Sequence, residues 1–239
     1  MTPQYFPAAK GEVSDPWYKE FKGGIRIKGT YDSEKRAAQG VWRDAVMTKE
    51  ELDPGKVLVI HDFLSGEECV ALIRRSEGLI YEPGTVADVV IEDVRNNERV
   101  LVDDVTLAAD LFSRAESFLP AVIEGYGLVG FNERWRFYRY QPGQTFRPHR
   151  DGSYMRMTRW EESQMTFMIY LNEGMTGGET RFFADMEQTF LQRPYLSVQP
   201  KEGMALAFMH SIWHEGAVLR SGKKYVLRTD VMFKQVSKV

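Results

Sequence analysis

The sequence has very little cysteine and no long apolar run, and both shortages limit what the protein can be. Cys69 is the single cysteine among 239 residues, which excludes an intramolecular disulfide, a CxxC redox pair and a cysteine-rich zinc site. No uninterrupted apolar segment reaches the ~20 residues of a membrane helix, and no basic segment followed by an apolar one stands at the N-terminus. We therefore expect a cytoplasmic protein with no membrane partner.

The chain also lacks an excess of basic charge. Its 31 Lys and Arg residues are balanced by 34 Asp and Glu residues, which gives a formal net charge of −3. Nonspecific binding to nucleic acid depends mainly on positive charge, so we expect no nucleic-acid partner. With 43% hydrophobic residues, a chain of this length can bury one core as a single domain.

The chain divides into a loop-rich beginning and a longer, regularly patterned part. Residues 1–55 carry scattered Pro, Gly and charges, and we interpret them as an extension before a folded domain at 56–239. In that domain, 57–60 predicts a strand, Ser65 predicts the N-cap of a helix, and 107–127 predicts a second helix. Short segments with turn residues between them then predict strands at 134–141, 144–151, 164–172, 179–183, 195–209 and 223–233. This order predicts an α+β fold with a mainly β core and helices on one side of a sheet.

Only four histidines are present, so the position of each is informative. His149 and Asp151 are two residues apart, which places both side chains on one face of a strand. This pair alone is a weak signal, but His214 from a distant strand would complete two histidines and one carboxylate, a set that leaves open positions on non-haem Fe(II). We interpret His210 as a hydrogen-bonded histidine at a strand end, because a zinc-protease HxxxH pair would need Glu where Ser211 stands.

The last predicted strand carries three charged side chains on one face. After a turn at Gly222, Lys224, Val226, Arg228 and Asp230 alternate with residues that point the other way. If this face points into a barrel, its cations need anionic partners, since an uncompensated buried charge is costly. Asp230 can neutralise one cation at most, which leaves the other for a ligand carboxylate. The alternative is a pair of solvated charges on an edge strand.

Together these motifs resemble the iron(II)/2-oxoglutarate-dependent oxygenases of the prolyl 4-hydroxylase type. The resemblance covers about residues 57–233 and includes VLVIHDFLSGEECVALI, YQPGQTFRPHRD, MIYLNEGMTGGETRFF and PKEGMALAFM. It implies a double-stranded β-helix, or jelly-roll barrel, with helices packed on one sheet, and an oxygenase domain at 56–239. It also implies Fe(II), 2-oxoglutarate and O2 as cofactor and cosubstrates, with ascorbate as a candidate reductant.

The resemblance implies that His149, Asp151 and His214 are the catalytic iron ligands. The activity it implies is hydroxylation of an unactivated C–H bond, coupled to decarboxylation of 2-oxoglutarate to succinate and CO2.

The resemblance also implies a binding site for 2-oxoglutarate. Lys224 would hold its C5 carboxylate, and Tyr140 and Tyr170 stand where related enzymes place tyrosines that contact this cosubstrate. Many relatives have a small or neutral residue at the position of Arg228, so either Arg228 or Lys224 is a candidate for the C5 carboxylate. We favour Lys224, with Arg228 nearer the iron.

The substrate is less well defined by the sequence. Strand alternation from Tyr140 places Arg136 on the inward face, and a cavity with Arg136, Arg228 and Asp230 favours a small polar substrate such as an amino-acid derivative. Arg95 and Asn97 fall where relatives carry a substrate-covering loop, and a solvated polar turn is the alternative for this segment. A peptidyl, prolyl-type hydroxylase and a catalytically silent 2-oxoglutarate-binding module are the alternative functions.

Overall fold

The computed structural model describes residues 46–84 and 93–236, so most of the predicted extension lies outside the described residues. The strands are β1 (Thr48–Asp53), β2 (Val57–His61), β3 (Glu82–Pro83), β4 (Glu98–Asp103), β5 (Val122–Ile123), β6 (Tyr126–Phe131), β7 (Arg134–Tyr140), β8 (Phe146–His149), β9 (Met155–Arg156), β10 (Glu161–Tyr170), β11 (Thr176–Gly177), β12 (Thr180–Phe183), β13 (Leu196–Val198), β14 (Ala205–Met209), β15 (Trp213–Gly216), β16 (Leu219–Ser221) and β17 (Lys224–Gln235). The helices are α1 (Gly66–Glu77), α2 (Val105–Ala115) and α3 (Met186–Phe190), with a 3-10 turn at Glu116–Phe118.

Two antiparallel sheets form the barrel. The large sheet has the strand order β1-β2-β14-β10-β17-β7-β4-β3, and the small sheet has the order β13-β12-β15-β8. Side chains of both sheets meet in one buried cluster, which includes Val59 and Tyr138 of the large sheet and Phe182 and Val198 of the small one. The sheets therefore pack face to face, as the predicted double-stranded β-helix requires.

A second core lies on the other face of the large sheet. It joins Cys69 and Leu72 of α1 and Leu111 of α2 to Phe137 and Phe167 of the sheet. No helix among the described residues is long and apolar enough to cross a bilayer.

Helix α1 begins where its capping residues predict. The Ser65 hydroxyl accepts a hydrogen bond from the Glu68 backbone N–H, and the Glu68 carboxylate accepts one from the Ser65 N–H. This reciprocal capping box satisfies two of the backbone donors that a helix start leaves free.

The second helix is shorter than predicted. It ends at Ala115, and after the 3-10 turn the chain reaches Pro120, which has no N–H to donate to a helix. The rest of the predicted helix forms β5 and the start of β6 instead. At the other end of the domain, β1 pairs with β2, so the large sheet begins at Thr48, before the predicted boundary at residues 55 and 56.

The register of β17 decides which side chains can reach the barrel interior. Lys224 lies opposite Tyr140 and Arg228 lies opposite Arg136 on β7, while Asp230 lies opposite Thr166 on β10. Strand β17 is therefore an inner strand of the large sheet, and the charges on its predicted face do not lie at a solvated sheet edge.

Candidate active site

Two neighbouring strands of the small sheet bring His149, Asp151 and His214 together. His149 on β8 is the register partner of His214 on β15, and Asp151 follows two residues after His149. The His149 Nε2 atom lies 3.7 Å from Asp151 Oδ1, and the His214 Nε2 atom lies 3.6 Å from Asp151 Oδ2. One ligand atom from each residue falls within 4.8 Å of the others, so a single divalent cation can bind all three.

Backbone carbonyls fix the tautomer of both imidazoles. Nδ1 of His149 lies 2.7 Å from the Arg147 oxygen, and Nδ1 of His214 lies 3.0 Å from the Ile212 oxygen. Because a carbonyl can only accept, Nδ1 carries the proton and Nε2 keeps its lone pair for a metal. Burial, together with the neighbouring imidazole, lowers the pKa of His149 to about 3, and burial lowers the pKa of His214 too. Both rings are therefore neutral at pH 7, which is the form that binds a metal.

A stack of flat groups packs against His149. The Phe146 ring lies on the imidazole with 3.6 Å between ring centroids. The Arg95 guanidinium lies over the Phe146 ring at 4.4 Å and over the Tyr138 ring at 4.5 Å. Asn97 is fully buried, and its side-chain oxygen accepts a hydrogen bond from Arg95 Nε. Arg95 thus lines the site, whereas Asn97 does not line it and contacts Arg95 instead.

A cavity of 230 Å³ connects the triad with Lys224. Its walls come from both sheets and from the Arg95 segment. The lining residues include Arg95, Tyr138, Tyr140, Phe146, His149, Arg150, Asp151, Thr166, Met168, Thr180, Phe208, His214, Lys224 and Arg228.

Lys224 is a buried cation with an incomplete set of partners. Its Nζ donates to the Gly178 carbonyl at 2.5 Å and lies 5.1 and 5.4 Å from the ring centroids of Tyr140 and Tyr170. Burial lowers the pKa of Lys224 to about 7, against the opposing charge of Glu179. Lys224 forms no ion pair with any residue that the structure describes. This arrangement suits a ligand carboxylate, which would complete the hydrogen bonding of the ammonium.

The other charges of β17 are paired with one another. Arg228 Nη2 lies 2.9 Å from Asp151 Oδ2 and 3.2 Å from Asp230 Oδ1, and Arg136 Nη1 lies 3.0 Å from Asp230 Oδ2. Burial alone would raise the pKa of Asp151, but Arg228 and the two imidazoles hold it well below its usual value. Arg136, Asp230 and Asn97 are not among the residues that line the cavity. The structure therefore places the charges expected for substrate binding in an internal ion-pair network.

His210 differs from its prediction. The ring is buried and lies 3.7 Å from Asp230 Oδ1, but neither ring nitrogen has a hydrogen-bond partner among the described residues.

Phe146 was not predicted from the sequence, because nothing in the spacing of β8 indicates that its ring would stack on His149.

Comparisons with known proteins point to one family. The profile of the 2OG-Fe(II) oxygenase superfamily matches residues 135–229. Prolyl 4-hydroxylase 1 of Arabidopsis thaliana is 28% identical over 191 residues, which are 71% of this chain and 66% of that protein. The chain thus spans slightly less than two thirds of the length of this curated relative.

Solved structures share the fold, two prolyl hydroxylases among them. A Pseudomonas putida prolyl-4-hydroxylase is 23% identical with a TM-score of 0.53, and the match covers 74% of this chain and 92% of that one. A Trichoplax adhaerens prolyl hydroxylase, solved in complex with a peptide fragment of the hypoxia inducible factor oxygen degradation domain, is 16% identical with a TM-score of 0.57. That match covers 75% of this chain and 84% of the other. The double-stranded β-helix predicted from the sequence is confirmed.

Proposed function

We propose that this chain, which belongs to the 2OG-Fe(II) oxygenase superfamily, hydroxylates a peptidyl substrate of the prolyl type with Fe(II), 2-oxoglutarate and O2. The observation that carries the proposal is one cavity lined by both a two-histidine, one-carboxylate cluster and an unneutralised buried lysine. The first is a ligand set for non-haem Fe(II), and the second is a partner for a dicarboxylate.

The donor set fits iron. His149 and His214 present unprotonated Nε2 atoms, and Asp151 presents an ionised carboxylate on the same side. Three protein ligands leave the remaining positions of an octahedral ion for a cosubstrate and oxygen. When bound, Fe(II), 2-oxoglutarate and O2 supply the chemistry that inserts one oxygen atom into a C–H bond and releases succinate and CO2.

Lys224 suits the distal carboxylate of 2-oxoglutarate. It lies four residues along β17 from Arg228, which contacts Asp151, so about 13 Å of strand separates it from the triad side of the cavity. Tyr140 and Tyr170 flank the ammonium, and Lys224 is buried. Arg228 is the weaker candidate for this role because two carboxylates already neutralise it.

Two observations support the proposed substrate class. A small anionic or amine-bearing substrate would need Arg136, Arg228 and Asp230 to be available, but they are bound to one another. The relatives reported above are prolyl hydroxylases, and one was solved with a peptide fragment. Both observations favour the peptidyl alternative over an amino-acid derivative.

The test assays hydroxylation of two sets of candidate substrates, proline-containing peptides and free amino acids. We expect a peptide to gain the mass of one oxygen atom at proline, with succinate formed in equal amount, and no product with Asp151→Ala. Hydroxylation of a free amino acid without any peptide product would instead favour the small-molecule substrate. Tight binding of Fe(II) and 2-oxoglutarate with no succinate under any substrate would indicate the silent binding module.

A further inference from the structure

We infer that Arg228 is a positioning residue for the metal site, which fixes the Asp151 carboxylate so that only one of its oxygens is left to bind the ion. The inference rests on the proposed function, because it assumes that Asp151 is a metal ligand. Arg228 is itself a cation and would not bind the metal; it would act through its contact with Asp151.

The two oxygens of Asp151 have different surroundings. Oδ2 lies 2.9 Å from Arg228 Nη2 and also accepts a hydrogen bond from the Thr166 hydroxyl. The Thr166 oxygen in turn accepts a hydrogen bond of 3.0 Å from Arg228 Nη2. Oδ2 is thus held by the hydrogen bond from Thr166 and by the nearby charge of Arg228. Oδ1 accepts no hydrogen bond from a described residue; it lies 3.7 Å from His149 Nε2, while Oδ2 lies 3.6 Å from His214 Nε2.

Arg228 is itself held in place. Asp230 accepts a hydrogen bond from Arg136 with Oδ2, and its Oδ1 lies 3.2 Å from Arg228 Nη2, so each of its oxygens faces a different guanidinium. The Asp230 side chain is 3% exposed and that of Arg228 is 13% exposed. The resulting chain, Asp151, Arg228, Asp230 and Arg136, alternates in sign and carries no net charge. A buried, neutral and fully bridged chain holds one geometry because any rotation leaves a buried charge unpaired.

This geometry has a consequence for coordination. A carboxylate that binds with both oxygens takes two positions on an octahedral ion, whereas one that binds through Oδ1 takes a single position. By holding Oδ2, Arg228 and Thr166 would favour binding of the ion through Oδ1 alone. The sequence motif cannot show this role, since the side chains concerned come from β10, β17 and the end of β8.

The experiment compares the affinity of variants for Mn²⁺, followed by the loss of the free-ion EPR signal. Arg228→Met should weaken Mn²⁺ binding by about 10- to 100-fold, the usual effect of removing an outer partner of a metal ligand. Arg228→Lys should recover part of this loss, because one donor remains. Asp230→Asn should cause a smaller loss in the same direction, since it frees Arg228 without removing it.

Arg75→Met is the matched control. Arg75 forms a 2.7 Å ion pair with Asp104, whose side chain is 1% exposed, and neither residue lines the cavity. This variant should lose stability in urea yet bind Mn²⁺ like the wild type. Should Arg228→Met fail to fold, Arg228→Lys and Asp230→Asn retain the size of the side chains and still test the inference.

The possible failures can be told apart. Wild-type affinity in Arg228→Met, or tighter binding, would overturn the positioning role and leave the proposed function intact. An equal loss of affinity in Arg75→Met would also overturn it, because general destabilisation would then explain the result. Absence of Mn²⁺ binding in the wild type would overturn the proposed function together with the inference.

Discussion

Replacement of Lys224 by Met should make the unliganded protein more stable and the cosubstrate complex much weaker. Burial lowers the pKa of Lys224 from 10.5 to about 7. A shift of this size corresponds to a cost of about 5 kcal/mol for keeping the charged form in the folded protein. Loss of the hydrogen bond to the Gly178 carbonyl returns about 1–3 kcal/mol, so we expect a net gain in unfolding free energy of about 2–4 kcal/mol.

The sign of the pH dependence follows from the same shift. The unfolded chain binds the Lys224 proton more tightly than the folded one, so the stability of the wild type rises between about pH 7 and 10.5. The cost is fully present below this window. Urea denaturation at pH 6 should therefore show the full gain for Lys224→Met, and the difference from the wild type should shrink as the pH approaches 10.

The same substitution removes the proposed partner of the 2-oxoglutarate carboxylate. Truncation of one side of a buried, hydrogen-bonded charge pair costs about 2–5 kcal/mol, which raises the Kd roughly 30- to 5,000-fold. The Kd for 2-oxoglutarate is measured by calorimetric titration into the Mn²⁺-loaded protein without oxygen. The control is Lys223→Met, at the neighbouring exposed position. A variant that is less stable than the wild type at pH 6, or that binds 2-oxoglutarate equally well, would refute this account of Lys224.

Two further substitutions test how the site and the fold are held. Phe146→Leu removes the ring stacked on His149, a contact of about 0.5–1.5 kcal/mol. The Kd for Mn²⁺ should therefore rise roughly 2- to 12-fold. An unchanged Kd would show that the stack does not hold the His149 imidazole in place. Gly203→Ala places a Cβ 2.1 Å from the Leu64 carbonyl oxygen at a φ of +75°, so urea denaturation should show a loss of at least about 2 kcal/mol. Gly143→Ala, with a φ of +88° and open space around it, should lose only about 1–2 kcal/mol, and equal losses would mean that the contact with Leu64 relaxes freely.

The features that the sequence could predict are local ones. Strand alternation placed Lys224 and Arg228 on one face of the last strand, and Ser65 with Glu68 marked the start of a helix. Both depend on spacing within a single element. The end of the second helix was misplaced because the glycines at 125 and 127 were interpreted as a helix stop, whereas Pro120 had already ended the helix and the glycines belong to a β-hairpin.

Contacts between distant elements could not be predicted in the same way. The alternation pattern indicated that Arg136, Arg228 and Asp230 point inward, but it could not show that they neutralise one another. That outcome depends on the register between three strands that lie far apart in the sequence. The role of an inward-facing charge depends on its partner, so these three charges alone could not identify the substrate class.

The central claim is that His149, Asp151 and His214 hold Fe(II) in a form that 2-oxoglutarate can chelate. Addition of Fe(II) and 2-oxoglutarate to the protein without oxygen tests it most directly, by the visible charge-transfer band of the chelate. We expect the band in the wild type, a greatly weakened band in Lys224→Ala and none in Asp151→Ala. Absence of the band from wild-type protein loaded with one equivalent of iron would contradict the claim.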